Sequence, residues 1–263
     1  MTRPSHRTTP LTRRSALLSL LTLASCRSSA RTAPAPAPSA SAAPAALETA
    51  LVTQMRADER GGTVIVLLHG YGAQGDDLVP LAQRLIRPNA RFVVPVAPLG
   101  LANGGRAWWR IDTEDRPRFV TDSATPPQIA SAQLEAARAS VQSVLRRALE
   151  RYTPNRLCIA GFSQGAMLSL DVALAATPPV QRVAVLSGAL LVDAASRLGL
   201  ATPARPAVFV SHGEEDPVLP WSAAQRLNTE LQQHGFAVTF RPFHGGHEIP
   251  EAVVNELSGF LFD

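Results

Sequence analysis

Runs of consecutive apolar residues recur along the chain from Gly61 onward and alternate with stretches of helical periodicity. Apolar runs of about four to eight residues are typical of strands buried on both faces of a sheet. The runs that predict strands are Thr63–Leu68, Arg91–Val96, Leu157–Ala160, Arg182–Leu186, Ala207–Ser211 and Phe236–Phe240. Helical spacing of apolar residues predicts helices over about 128–151, 166–174, 223–233 and 250–262. This alternation indicates an α/β fold with a mostly parallel sheet covered by helices on both faces.

Residues 1–26 have the pattern of an export signal. A basic segment without acidic residues precedes the apolar stretch Ala16–Ala24, which is shorter than the roughly 20 residues that span a bilayer. The stretch ends in Leu23-Ala24-Ser25-Cys26, which resembles the bacterial lipoprotein box. The resemblance implies that Cys26 is lipidated as the first residue of the mature chain. An ordinary cleaved signal with an incidental cysteine is the alternative.

Further features of the sequence bear on the export route and on the layout of the chain. Thr12–Leu17 resembles a twin-arginine signal, so the export route stays open between this and general secretion. Arg27 after the cysteine favours the outer membrane, by resemblance to lipoprotein sorting in bacteria with two membranes. Residues 27–46 are rich in Ala, Pro and Ser, a composition that predicts an extended linker. Residues 47–263 form the predicted α/β domain.

Charge is concentrated at the amino terminus. All 25 residues counted as Lys and Arg are arginines, and the formal net charge is +4. Four arginines and no acid precede Cys26, so the remaining 21 arginines match the 21 Asp and Glu residues. No arginine cluster with interleaved aromatic residues recurs beyond the leader, and we therefore expect no nucleic-acid partner. The hydrophobic fraction of 46% is ample for a large core.

The segment Gly161-Phe162-Ser163-Gln164-Gly165 fits G-x-S-x-G between a predicted strand and a predicted helix. In this turn the backbone reverses so sharply that a side chain at either glycine would collide with its neighbours. The serine hydroxyl is lifted clear of the sheet, and the next backbone N–H faces the place where an oxyanion forms. Ser163 is the candidate nucleophile. The alternative is an ordinary strand–helix turn with a small residue at its apex.

A nucleophilic serine needs a base and an acid, which follow it in the order Asp or Glu, then His. Asp216 lies just past the strand Ala207–Ser211, and Pro217 fixes the turn that contains it. His247 follows the last predicted strand, behind a flexible pair of glycines. Asp216 and His247 are therefore the candidate acid and base. The alternatives are Glu214, Glu215 and Asp193 for the acid and His244 for the base.

The glycines at 70, 72 and 75 fit G-x-G-x-x-G, the pattern of a dinucleotide-binding loop. That site needs an acid at the end of the next strand, where this chain has Val96-Ala97-Pro98. Asp76 and Asp77 would also repel a pyrophosphate. The loop is better interpreted as an oxyanion loop, in which the backbone N–H groups of Tyr71 and Gln164 stabilise the tetrahedral intermediate. We expect no cofactor.

The segment His244-Gly245-Gly246-His247 offers two histidines at a spacing that suggests zinc. Motifs of this spacing place both rings on one face of a helix, and two central glycines disfavour a helix. No third ligand is evident nearby in the sequence. We therefore expect no metal site.

Four segments together resemble the phospholipase/carboxylesterase family of α/β-hydrolases, which includes acyl-protein thioesterases. They are Leu68–Gly72, Gly161–Gly165, His212–Val218 and Gly246-His247, and the resemblance covers about residues 61–262. It implies an α/β-hydrolase fold, a catalytic triad of Ser163, Asp216 and His247, and an oxyanion hole formed by Tyr71 and Gln164. It also implies that Trp108 and Trp109 border the acyl site. The alternative for these two is that they are packing aromatics.

The expected function is that of an exported, lipid-anchored serine carboxylesterase, which hydrolyses small or medium acyl esters through an acyl-enzyme. The expected partners are an ester substrate and a membrane that holds the anchor at Cys26. Alternatives with the same triad are a lysophospholipase, a thioesterase, and an esterase acting on feruloylated polysaccharide or polyester. An alternative of another class is a non-catalytic surface binding module on the same scaffold.

Overall fold

The computed structural model describes residues 46–56, 58–114, 116–120, 131–175, 177–200 and 205–263. The predicted signal peptide, with Cys26, and all but the last residue of the predicted linker lie outside the described residues. The predictions made for them are therefore not addressed by the structure.

A seven-stranded sheet runs through the described part of the chain, in the order β1-β3-β2-β6-β7-β8-β9. The strands are β1 (Thr49–Thr53), β2 (Thr63–Leu68), β3 (Ala90–Pro95), β6 (Arg156–Phe162), β7 (Arg182–Leu186), β8 (Ala207–Gly213) and β9 (Val238–Phe243). All neighbouring strands pair in parallel except β1 with β3. The short strands β4 (Leu99–Gly100) and β5 (Arg106–Ala107) form a separate antiparallel ribbon. The predicted mostly parallel sheet is confirmed.

Helices cover both faces of the sheet, as the continuous apolar strands require. The helices are α1 (Val79–Leu85), α2 (Ala132–Tyr152), α3 (Gln164–Leu174), α4 (Val192–Ala195), α5 (Trp221–Gln233) and α6 (Glu251–Phe262). One core cluster packs α2, α3 and α5 against the sheet, and a second packs α1 and α6 against the opposite face. In the described ranges, no helix is both long and apolar enough to cross a membrane.

The parallel strands bring distant segments together at one edge of the sheet. Phe162 at the end of β6 pairs with Leu186 at the end of β7. Gly213 at the end of β8 pairs with Phe243 at the end of β9. The loops that follow these strands therefore lie along the same edge, where open α/β sheets bind their ligands.

Candidate active site

Ser163 occupies a strained turn between β6 and α3. Its backbone angles are φ 55° and ψ −117°, a conformation that residues with a Cβ rarely adopt. A Cβ atom added to Gly161 would lie less than 3.0 Å from the carbonyl oxygen of Gly165. The N–H of Ser163 donates to the carbonyl of Leu186 over 2.9 Å, which ties the turn to β7. The turn thus has the geometry expected for a presented nucleophile.

Asp216 and His247 form a hydrogen-bonded pair beside this turn. His247 Nδ1 lies 2.7 Å from Asp216 Oδ2. The other carboxylate oxygen accepts from the backbone N–H groups of Val218 at 2.8 Å and Leu219 at 2.9 Å. Burial of Asp216 would raise its pKa, but the hydrogen bonds from His247, Leu219 and Val218 outweigh burial, so the pKa lies below its usual value. Asp216 is thereby held as a carboxylate that orients the imidazole.

The alternative acids and base lie elsewhere. His244 is 91% exposed at its side chain and pairs with Glu214 over 2.6 Å. Asp193 lies on α4, where the charges of Asp171 and two arginines act on it. Glu215 is exposed and contributes only its backbone N–H, which donates to Gly245. Of the candidates, the structure brings together Asp216 and His247.

The imidazole of His247 lies next to the serine turn. Its ring centroid is 4.8 Å from that of Phe162, the residue before Ser163. Because Nδ1 is bonded to Asp216, Nε2 is the ring nitrogen left to act on the serine. Among the described residues the Ser163 hydroxyl has no hydrogen-bond partner, and catalytic hydrogen bonds of this kind often tighten only when substrate is bound.

The glycine loop after β2 packs directly against the serine. A Cβ atom added to Gly70 would lie 3.3 Å from the Cβ atom of Ser163. Within the described part of the chain, the backbone N–H groups of Tyr71 and Gln164 donate to no other group. Two unpaired donors close to a nucleophile are what an oxyanion hole requires. No helix opens in this loop, because α1 begins at Val79, beyond the two aspartates.

The side chain of Gln164 makes contacts that the sequence did not suggest. Its Oε1 accepts from the N–H of Trp108 at 2.8 Å, and its Nε2 donates to the carbonyl of Trp109 at 2.9 Å. The indole N–H of Trp108 donates to the carbonyl of His69 at 2.9 Å. The nucleophile turn, the tryptophan segment and the glycine loop are thus joined by one set of hydrogen bonds.

Trp108 and Trp109 are 1% and 3% exposed, as expected of packing residues. The contacts just described use the backbone N–H and the indole of Trp108 and the backbone carbonyl of Trp109. That these side chains contact the acyl group of a substrate stays a prediction.

The two histidines whose spacing suggests zinc bond to different partners. His247 bonds to Asp216, whereas His244 pairs with Glu214 at the surface. Across the described ranges, no cluster of three or more His, Cys, Asp or Glu residues could hold a metal ion.

The arrangement of a strained serine, an aspartate–histidine pair and two free N–H donors can be compared with known proteins. A family model described as "Phospholipase/Carboxylesterase" matches residues 50–262. The chain belongs to the phospholipase/carboxylesterase family. It is a serine hydrolase of the α/β-hydrolase type, and its chemistry is that of the carboxylesterases and acyl-protein thioesterases.

Several members of this family resemble the chain over most of its length. A protein named "Probable carboxylesterase" from Oryza sativa subsp. japonica is 25% identical to this chain. The aligned region spans 83% of this chain and 84% of that protein. "Acyl-protein thioesterase 1" of Mycosarcoma maydis is 27% identical, with 80% of this chain and 95% of its own covered. The chain is thus similar to both over nearly the whole predicted domain.

Solved structures share the fold. Esterase PE8 superimposes with a TM-score of 0.66 at 24% identity. The superposition spans 82% of this chain and 98% of the esterase. Zea mays acyl-protein thioesterase 2 gives a TM-score of 0.60 at 23% identity, covering 82% of this chain and 97% of its own. The predicted α/β-hydrolase fold is confirmed.

Proposed function

We propose that the protein hydrolyses carboxylic esters of small or medium acyl chains through a covalent intermediate on Ser163. The observation that carries this proposal is the 2.7 Å hydrogen bond between Asp216 and His247, beside the strained serine turn. Asp216 and His247 follow Ser163 in the order that the acid and base of an α/β-hydrolase triad take along the chain.

The geometry supports a two-step acyl transfer. Ser163 Oγ attacks the ester carbonyl while His247 Nε2 takes the hydroxyl proton, and the carbonyl oxygen becomes an oxyanion. The C–O bond to the alcohol then breaks, and His247 gives the proton to the departing alkoxide. Water, activated by the same imidazole, attacks the acyl-enzyme, releases the carboxylic acid and restores the serine. Asp216 holds the imidazole in the required tautomer and stabilises its charged form.

The tetrahedral intermediate needs donors for its negative oxygen. In this mechanism the N–H groups of Tyr71 and Gln164 supply them. One such donor is worth about 3 kcal/mol of activation free energy. Because both are backbone groups, a substitution by any residue other than proline leaves the N–H in place and can only change its direction.

A fluorophosphonate probe tests the nucleophile. We expect the wild-type protein to be labelled covalently and Ser163→Ala not to be labelled. His247→Gln should lower kcat by about 10⁴-fold or more. His244→Gln is the matched control in the same loop, and its kcat should equal that of the wild type. Equal labelling of wild type and Ser163→Ala, or none of either, would leave a non-catalytic binding module as the better explanation.

Thioesters are the second candidate substrate, because relatives of the chain are named acyl-protein thioesterases. The same triad can cleave a C–S bond. Oxygen esters and thioesters with the same acyl group, compared by kcat/KM over a series of chain lengths, distinguish the two. A preference for thioesters at every length would contradict the assignment as a carboxylesterase.

We further propose that the protein acts outside the cytoplasm, anchored by a lipid at Cys26. The support is the order of features in residues 1–26: a basic segment, a short apolar run, small residues and a cysteine. The Ala- and Pro-rich residues 27–46 suit a spacer between the anchor and the domain.

A further inference from the structure

His69 is a completely buried histidine in the loop directly after β2, one residue before the glycine that packs against the serine. Its Nε2 lies 3.0 Å from the backbone nitrogen of Ala97. Its Nδ1 lies 2.8 Å from the carbonyl oxygen of Gly70. Both ring nitrogens therefore have partners, although the reaction proposed above gives this residue no part.

The partners fix the tautomer of the ring. A backbone N–H can only donate, so Nε2 must be the unprotonated nitrogen that accepts from Ala97. The proton is then on Nδ1, which donates to the carbonyl of Gly70. A doubly protonated ring would lose the bond from Ala97.

Electrostatics keep the ring neutral. Burial is the largest influence and lowers the pKa of His69, and the nearby charge of Arg106 lowers it further. The hydrogen bond to Gly70 and the charge of Asp77 act in the opposite direction but do not outweigh burial. The same tautomer, and the same bond to Gly70, therefore persist through neutral pH.

The hydrogen bond from His69 to Gly70 also determines the direction of the N–H of Tyr71. The carbonyl of Gly70 and the N–H of Tyr71 belong to one peptide group, which is planar and trans. In such a group the C=O and N–H point in opposite directions. Holding the Gly70 oxygen toward the imidazole therefore turns the Tyr71 N–H to the other side, and Gly70 itself lies against Ser163.

The other oxyanion donor is tied to the same histidine. The carbonyl of His69 accepts from the indole N–H of Trp108, whose backbone N–H is bonded to the side chain of Gln164. The backbone N–H of Gln164 is the second donor. His69 and Trp108 thus connect the two donors through buried hydrogen bonds, out of contact with water.

We propose that His69 is a positioning residue, which aims the Tyr71 N–H at the oxyanion by holding the Gly70–Tyr71 peptide group. The inference rests on the proposed ester hydrolysis. The hydrogen bond from an oxyanion-hole donor is stronger in the transition state than in the bound substrate. A misdirected N–H therefore lowers kcat and leaves KM unchanged.

Two substitutions of His69 each remove one of the two hydrogen bonds of its ring and keep the other. In His69→Asn the side-chain NH₂ takes the place of Nδ1 and can donate to Gly70, but nothing accepts from Ala97. In His69→Gln the amide oxygen takes the place of Nε2 and can accept from Ala97, but nothing donates to Gly70. Each variant thus keeps one bond, and only the first keeps the bond that the proposal requires.

With a chromogenic ester as substrate, we expect His69→Gln to lower kcat by at least about 10-fold, with KM within twofold of the wild type. One complete donor is worth about 10²- to 10³-fold in kcat, so this is a partial loss. His69→Asn should retain kcat within about threefold. Thermal unfolding of both variants measures their stability, and we expect the kcat difference to persist at temperatures where both are folded.

Equal kcat for the two variants, or a larger loss in His69→Asn, overturns the proposal. If neither variant folds, the ¹⁵N chemical shifts of the His69 ring in the wild-type protein carry the test, because they identify which ring nitrogen is protonated. A neutral ring with its proton on Nδ1 supports the proposal, and a proton on Nε2, which leaves no donor for the carbonyl of Gly70, overturns it. A wild-type protein that neither hydrolyses esters nor reacts with fluorophosphonate contradicts the proposed function itself, which is a different result.

Discussion

Gly161 shows how strictly one residue can be specified by its surroundings. An added Cβ atom would lie less than 3.0 Å from the backbone of Gly165 and Ala166, which cannot move without unwinding α3. We expect Gly161→Ala to lower the free energy of unfolding by at least about 3 kcal/mol, as a backbone clash in a packed core does. Urea denaturation measures this.

Gly100 provides the matched control. It lies in β4, where an added Cβ atom would have no heavy atom within 4 Å, and its φ is one that other residues adopt. Gly100→Ala should change the free energy of unfolding by no more than about 0.5 kcal/mol. If both alanine variants unfold at the same urea concentration, the turn accommodates a Cβ atom at position 161, contrary to this prediction.

At the residue scale, part of the site could be predicted from the sequence. Ser163 stands in a motif of contiguous residues, and Asp216 and His247 follow the ends of predicted strands in the expected order. The hydrogen bonds of Gln164 and His69 could not be predicted. Apart from Gly70, which is adjacent to His69, their partners lie tens of residues away in the chain, in loops whose approach is determined by the folded sheet.

At the scale of elements, an ion network around a buried carboxylate joins α2, α3 and the turn that follows α4. Asp171 on α3 is completely buried, and its carboxylate bonds to Arg138 of α2 at 2.6 Å and to Arg197, which follows α4. Asp171→Asn leaves two arginines without their counter-charge in a partly buried site. We expect a loss of about 3 kcal/mol in the free energy of unfolding, measured by urea denaturation.

An exposed ion pair offers the comparison. Arg84 of α1 pairs with Glu251 of α6, and both side chains are about half exposed or more, at 47% and 67%. Water and salt screen such a pair, so Arg84→Ala should cost less than about 1 kcal/mol. If Asp171→Asn lowers the free energy of unfolding by less than Arg84→Ala does, the buried network contributes no more to stability than an exposed ion pair, and the prediction is wrong.

The elements that were predicted well are those buried on both faces. Continuous apolar runs identified β2, β3, β6, β7 and β8, since each lies inside the sheet. The edge strand β1 has a half-exposed pattern and was not predicted, and neither were the short helices α1 and α4. The apolar run predicts a last strand that begins at Phe236, but β9 begins at Val238, because Phe236 packs into the core just before it.

At the scale of the whole molecule, the proposed location depends on residues outside the described part of the chain. We expect the wild-type protein to partition with membranes and Cys26→Ser to be released into the soluble fraction. The resemblance to bacterial lipoproteins implies that Cys26 carries several acyl chains. Several chains hold a protein stably on a bilayer, whereas one chain binds only marginally. Fractionation of cells that express each form, followed by immunodetection, measures the partition.

The second cysteine of the chain is the control. Cys158 lies in β6, is completely buried, and burial raises the pKa of its thiol to about 12. It is therefore neither accessible nor reactive, and Cys158→Ala should partition like the wild type. Membrane association that survives Cys26→Ser would contradict lipidation at that residue.

The position of β6 in the sheet also determines the order in which the protein can be completed. The three strands on one side of it come from earlier in the chain, and the three on the other side come later. Thr63 pairs with Arg156, so the inner edge of β2 has no partner until the intervening residues have been made, roughly 5 to 20 s at ordinary rates of synthesis. An unpaired strand edge is a template for another chain. The strand that presents the serine is therefore also the one whose arrival covers the exposed inner edge of β2.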